Sequence, residues 1–194
     1  MDDNKKEIRN TSYEVTVDGE SRTVEGYALL FDTPSTGLPF TEVIERGALE
    51  GVIPKSDVFA LLNHSQNRGI LARSNKGKGS LLLSVDSKGL KYRFEAPDTP
   101  LGNELLENLK RGEIDSSSFA FTVEKDTWER GKDGKVKRTI QKVAELYDVS
   151  PVYNAAYSQT SVYKRGMDDL EEEEKRSQEE SLKTYFADIE SKFN

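Results

Sequence analysis

The stretch GILARSNKGKGSLLLSVDSKGLKYRFEAPD, residues 69–98, holds three strand-sized segments, GILAR, GSLLLSVD and GLKYRFEAPD. Short Gly/Lys/Asn/Asp/Ser turns separate them. Apolar segments of this length, cut by turn residues at short intervals, predict an antiparallel meander rather than helices. Upstream, YEVTV (13–17) and RTVEGYALLF (22–31) also read as strands, joined at Asp18-Gly19. TEVIERGALEGVI (41–53) fits a short helix or a strand ending at Gly47. Downstream, TPLGNELLENLKRG is the clearest helix of the body: Leu101, Leu105, Leu106 and Leu109 fall at helical spacing, and Gly112 offers a stop. SSFAFTVEKDTWER returns to strand and RGKDGK is a hairpin turn. KRTIQKVAELYDVSPVYNAAYS then gives one long strand or two short ones broken at Pro151. The expected class is α+β, mostly β.

The composition changes after Gly166. Residues 166–194 hold ten acidic and four basic residues, net −6 of the chain's −7, which leaves −1 for the 165 residues before them. Leu182, Tyr185, Phe186, Ile189 and Phe193 form one apolar stripe at helical spacing. Two units are therefore expected: a body over 1–165 and an acidic helical tail over 166–194. The tail is either a helix folded back on the body or a docking segment for a larger partner.

Composition also excludes functions. The chain has no cysteine, which removes disulfides, thiolate catalysis and cysteine metal sites, and one histidine cannot build a histidine-rich metal centre. No cofactor or metal is expected. The near-neutral body has no basic excess to favour nucleic acid. No apolar run of about 18 residues is present to span a membrane, and MDDNKKEIRN lacks the apolar core of a secretory signal. The protein is expected to be soluble and intracellular.

The one histidine, His64, follows an apolar segment, Val58 to Leu62, where it meets the Asn/Ser/Arg/Gly loop NHSQNRG. An imidazole exchanges protons near neutral pH, but to act as a base it needs a nucleophile and a group that orients its ring. Without cysteine the nucleophile is a hydroxyl. Candidates cluster at Ser116, Ser117 and Ser118; Ser118 stands out because it enters a β-type run in which Phe119 and Phe121 face one way and Ser118 and Ala120 the other. Without a second histidine, the orienting group is a carboxylate or a backbone carbonyl. Glu145 and Asp148 both interrupt the apolar strand KVAELYDVSPV, and strand alternation does not choose between them.

Taken together, GYALLFDT, EVIERGALE, ALLNHSQNRGILARS, GLKYRFEAPDT, LKRGEIDSSSFAFTV and AELYDVSPVYNAAYSQTSV resemble the tailed-phage prohead (capsid maturation) proteases. That group is typified by phage HK97 and distantly related in fold to the herpesvirus assemblins. The resemblance covers about residues 12–163. It implies a β-barrel-like core with peripheral helices and a serine endopeptidase. His64 would be general base, Ser118 nucleophile and Asp148 the third member, with Glu145 as alternate. Two departures are Ala120, where the family commonly has glycine, and Ser116-Ser117, where it often has a glycine and a hydrophobic residue. The implied substrates are scaffold and major capsid subunits, the protease itself included. The implied place is the immature prohead in the host cytoplasm, with a homodimer as a further partner arrangement and neither nucleic acid nor membrane. A catalytically silent capsid-assembly or scaffold-binding module of the same fold is the competing expectation.

Overall fold

A computed structural model describes residues 6–11, 15–17, 21–35, 37–153 and 160–193. In chain order its strands are β1 (Glu7–Thr11), β2 (Thr16–Val17), β3 (Thr23–Leu30), β4 (Thr41–Ile44), β5 (Asp57–Ala60), β6 (Ala72–Asn75), β7 (Lys78–Gly79), β8 (Leu82–Val85), β9 (Gly89–Glu95), β10 (Ser116–Arg130) and β11 (Val136–Val152). The helices are α1 (Pro100–Lys110) and α2 (Thr160–Phe193). The class is α+β and mostly β. Tyr13, Glu14 and the Asp18-Gly19 turn lie outside the described residues, so the first predicted strand is seen only as β2.

Among the described residues, seven strands form one sheet in the order β1-β10-β11-β5-β6-β7, with β4 also on β11. β4 and β5 pair in parallel with different stretches of β11, Lys137–Ile140 and Asp148–Val149. Four strands form the second sheet, β2-β3-β9-β8. The ladders of the described residues do not close into a barrel. The single meander expected over 69–98 is divided between the sheets: β6 and β7 belong to the first, β8 and β9 to the second. The switch falls at Gly79, whose φ of 141° suits glycine and where an added Cβ would run into the Arg73 carbonyl.

The sheets bury a common core that includes Leu29, Leu90, Phe94, Phe119, Phe121, Ile140, Leu146 and Val149. Each such side chain contributes about 1.5–3 kcal/mol on leaving water. Helix α1 covers this core with Leu105 and Leu106, while Leu101 and Leu109 pack at its margin. Thr99 caps the helix by accepting from the Gly102 N–H at 3.2 Å, and Pro100 occupies its first turn.

The segment at 41–53 resolves into β4 followed by turns over 46–55. β11 runs unbroken through Pro151, opposite Ser117. Proline gives the ladder no donor there, but its carbonyl still accepts from the Asn63 N–H at 3.0 Å. Helix α2 begins at Thr160, upstream of Gly166, and lies on the end of the long β10–β11 hairpin. Leu170 and Met167 join Phe40, Val136 and Trp128 in a small second core. Gly166 lets the helix backbone approach Trp128 so closely that a Cβ would overlap the indole. Leu182 and Tyr185 are exposed, at 55% and 61%. The side chains of Phe186, Ile189 and Phe193 lie outside the described residues.

Candidate active site

The only imidazole is delivered by a tight turn. After β5, Leu61 and Leu62 are buried, and Leu61 N–H donates to the Val149 carbonyl at 3.3 Å. The chain then reverses through Asn63 (φ 53°) and His64 (φ 58°), and Ser65 N–H closes the turn on the Leu62 carbonyl at 3.1 Å. Two consecutive left-handed residues with this bond describe a type I′-like turn. For residues other than glycine that conformation costs roughly 1–2 kcal/mol each, least for Asn. The Asn63–Pro151 bond pins the turn to β11.

From there the ring spans two strands. His64 Nε2 lies 2.5 Å from Ser118 Oγ on β10, and Nδ1 lies 2.5 Å from Asp148 Oδ1 on β11. With Nδ1–H donating to the carboxylate, Nε2 is left to accept the serine hydroxyl. The Arg9 carbonyl on β1, 2.9 Å from Ser118 Oγ, is a second acceptor for that proton. Thus the face of Ser118 and Ala120, where small side chains leave room, is occupied by an imidazole and a backbone carbonyl. Ser118 is 0% and Asp148 1% exposed.

The neighbouring hydroxyls are engaged elsewhere. Ser117 Oγ pairs with the buried Tyr92 hydroxyl at 2.8 Å, and Ser116 donates to Asp115 at 3.0 Å. Of the three, Ser118 is the one against the imidazole.

The bulge at Tyr147 brings both carboxylates to the face of Ser118, at different distances along the strand: Asp148 opposite Ala120, Glu145 opposite Thr122. Ala120 pairs with Asp148 but Phe121 with Leu146, so Tyr147 is skipped; Thr122 pairs with Glu145 but Val123 with Val143, so Ala144 is skipped. Val143, Leu146 and Val149, three residues apart, therefore all reach the core. Asp148 turns inward to His64. Glu145 is exposed beside Tyr147, without a described contact to the imidazole.

Asp148 has two further donors that sequence reasoning missed. Ser150 Oγ donates to Oδ1 at 2.8 Å and Lys6 Nζ to Oδ2 at 3.3 Å. Burial alone would push this carboxyl up, but the bonds from His64 and Ser150 and the charge of Lys6 outweigh it and hold it below the usual carboxylate range. Ser150 was findable, because two residues along a strand share a face. Lys6, 142 residues from its partner, gives no local signal.

Chemically, the arrangement can take a proton from a hydroxyl onto an imidazole and hold the resulting cation against an anion. Among the described residues no group of three or more His, Asp or Glu side chains gathers to bind a metal ion.

A family model described as caudovirus prohead serine protease matches residues 7–175. Among solved structures, the chain is similar to the bacteriophage T4 capsid assembly protease, gp21, with a TM-score of 0.51 and 11% identity, over 77% of this chain and 98% of that one. At this identity the likeness speaks for the fold. No curated protein matches the chain. Residues 154–159, within the last of the quoted blocks, lie outside the described residues.

Proposed function

The chain belongs to the caudovirus prohead serine proteases, and from that premise we propose that Ser118, His64 and Asp148 are its catalytic triad. In this reading it cleaves scaffold and capsid subunits, and itself, inside the immature shell in the host cytoplasm. His64 takes the Ser118 proton as the oxygen attacks the scissile carbonyl, then returns it to the leaving amine. Asp148 fixes the ring tautomer and stabilises the imidazolium. Backbone N–H groups facing the developing oxyanion would contribute about 3 kcal/mol each.

What carries the reading is the unbroken hydrogen-bonded chain from Ser118 through His64 to Asp148. The burial of Ser118 is the one observation that favours a silent assembly module, since a substrate carbonyl must reach its oxygen. The same packing suits a resting peptidase whose cleft opens when a substrate strand arrives. A scaffold–capsid fusion incubated with the purified protein separates the two. Cleavage by the native chain and none by Ser118→Ala supports the peptidase; intact fusion in both supports the silent module.

Two finer readings accompany it. The packed sheets are an open counterpart of the assemblin-like barrel, supported by Thr11 Oγ1 on β1, which donates across to the Ala28 carbonyl on β3 at 2.9 Å. A homodimer working without nucleic acid or membrane completes the proposal, and light scattering of the purified protein tests the dimer.

A further inference from the structure

Four buried charged residues stand outside the proposed triad. Glu7 and Arg9 on β1, Glu42 on β4 and Arg138 on β11 are each at most 4% exposed. Arg9 reaches Glu42 at 2.5 and 2.6 Å and Glu7 at 2.6 Å. Arg138 reaches Glu7 at 2.7 and 2.9 Å, Glu42 at 2.9 Å and Asp126 at 2.6 Å. Buried ion pairs are weak stabilisers relative to apolar packing, but breaking one is costly, which makes them good register devices. A slip of β1 by one residue would turn Glu7 and Arg9 to the opposite face and strand Glu42 and Arg138. The register so fixed sets Asn10 opposite Ser118. It also carries Lys6, the residue before the strand, to the outer oxygen of Asp148. There the Lys6 ammonium also stands 5.2 Å from the centre of the Tyr147 ring, on the bulge beside Asp148.

We propose that Lys6 is a positioning residue of the site: its ammonium holds Asp148 Oδ2 while Ser150 and His64 share Oδ1, and its charge tempers the pull of the carboxylate on the imidazole proton. The inference rests on the triad reading for its catalytic consequence. The groups facing Asp148 are His64 from the turn after β5, Ser150 on its own strand and Lys6 from the N-terminal segment. Tyr147 lies under Lys6, and the Arg9 guanidinium is turned away to Glu7 and Glu42.

The sign follows from Coulomb's law. Removing Lys6 leaves Asp148 more basic, so the coupled His64–Asp148 pair takes up its proton at higher pH. In Lys6→Met, kcat/KM at a fixed pH on the acid limb should fall about threefold, an effect the size of one partly exposed charge. Lys6→Arg should restore the native profile. In about 1 M salt, where the screening length is about 3 Å, the difference should shrink. His64 is the only histidine, so NMR titration of its ring reads the same change without substrate: the midpoint moves to higher pH in Lys6→Met. Superimposable titrations, or a fall in rate uniform across pH, would overturn the role of Lys6. If the ring titration shifts but Ser118→Ala still cleaves, the triad is wrong and the placement of Lys6 stands.

Discussion

At the scale of single residues, position along β11, with Asp148 opposite Ala120 and Glu145 one same-face pair further from Ser118 opposite Thr122, decides which carboxylate serves the imidazole. Asp148→Asn keeps the shape of the contact but lets the amide hold the wrong ring tautomer, so cleavage should drop by a large factor, up to ~10⁴ as in other triads. Glu145→Gln, at an exposed position, should remain close to native. Steady-state cleavage of a scaffold-derived peptide by both variants checks this, and the reverse ranking would reassign the acid. The turn that carries His64 makes a second prediction. Asn63 is exposed and left-handed, so Asn63→Val should cost about 1–2 kcal/mol through backbone strain alone. Asn63→Gly should melt near the native temperature. Equal melting of the two variants would mean that the left-handed turn carries no strain.

Between elements, the buried cluster ties β1 to β4 and β11. Burial alone would raise the Glu7 carboxyl, but Arg138 and Arg9 outweigh it and hold it below its ordinary value. A depressed folded value contributes stability that is present above the unfolded value and is lost as pH falls through the folded one. Glu7→Gln should therefore flatten the acid side of the melting-temperature curve while lowering its neutral plateau; an acid side as steep as the native one would contradict this. The same elements explain what the sequence discloses. Helix α1 is legible because four leucines share a face between the Thr99 cap and Gly112, all of it local. His64 and Ser118 are legible as candidates because the chain offers one imidazole, no thiol and one serine cluster entering a strand. The choice between Asp148 and Glu145 is not legible, because the bulge at Tyr147, which no local signal marks, breaks the alternation and puts both on the face of Ser118. Nor is the division of the meander at Gly79, where a close backbone approach to Arg73, across the hairpin turn, decides the course of the chain. Lys6 is hidden by the length of chain that separates it from Asp148.

Across the whole molecule, the tail divides into a packed beginning and an exposed remainder. Leu170, Met167 and Glu174 hold the first turns on Phe40, Trp128 and Arg130, whereas Leu182 and Tyr185 face solvent. We expect truncation after Lys175 to leave the melting temperature nearly unchanged and to impair action within assembled shells while a short peptide is still cleaved. Truncation after Arg165 also strips Leu170 from Trp128. It should lower the melting temperature by several degrees, at about 2–4 °C per kcal/mol for a chain of this size. Equal melting of the two truncated forms would show that the second core contributes nothing. The central claim, that His64 activates Ser118 for attack, is tested most directly by a small fluorophosphonate that reacts only with an activated serine. Peptide mass mapping should place a single adduct on Ser118 in the native chain and none in His64→Ala. An adduct on Ser116 or Ser117, or labelling of Ser118 that persists without His64, would contradict it.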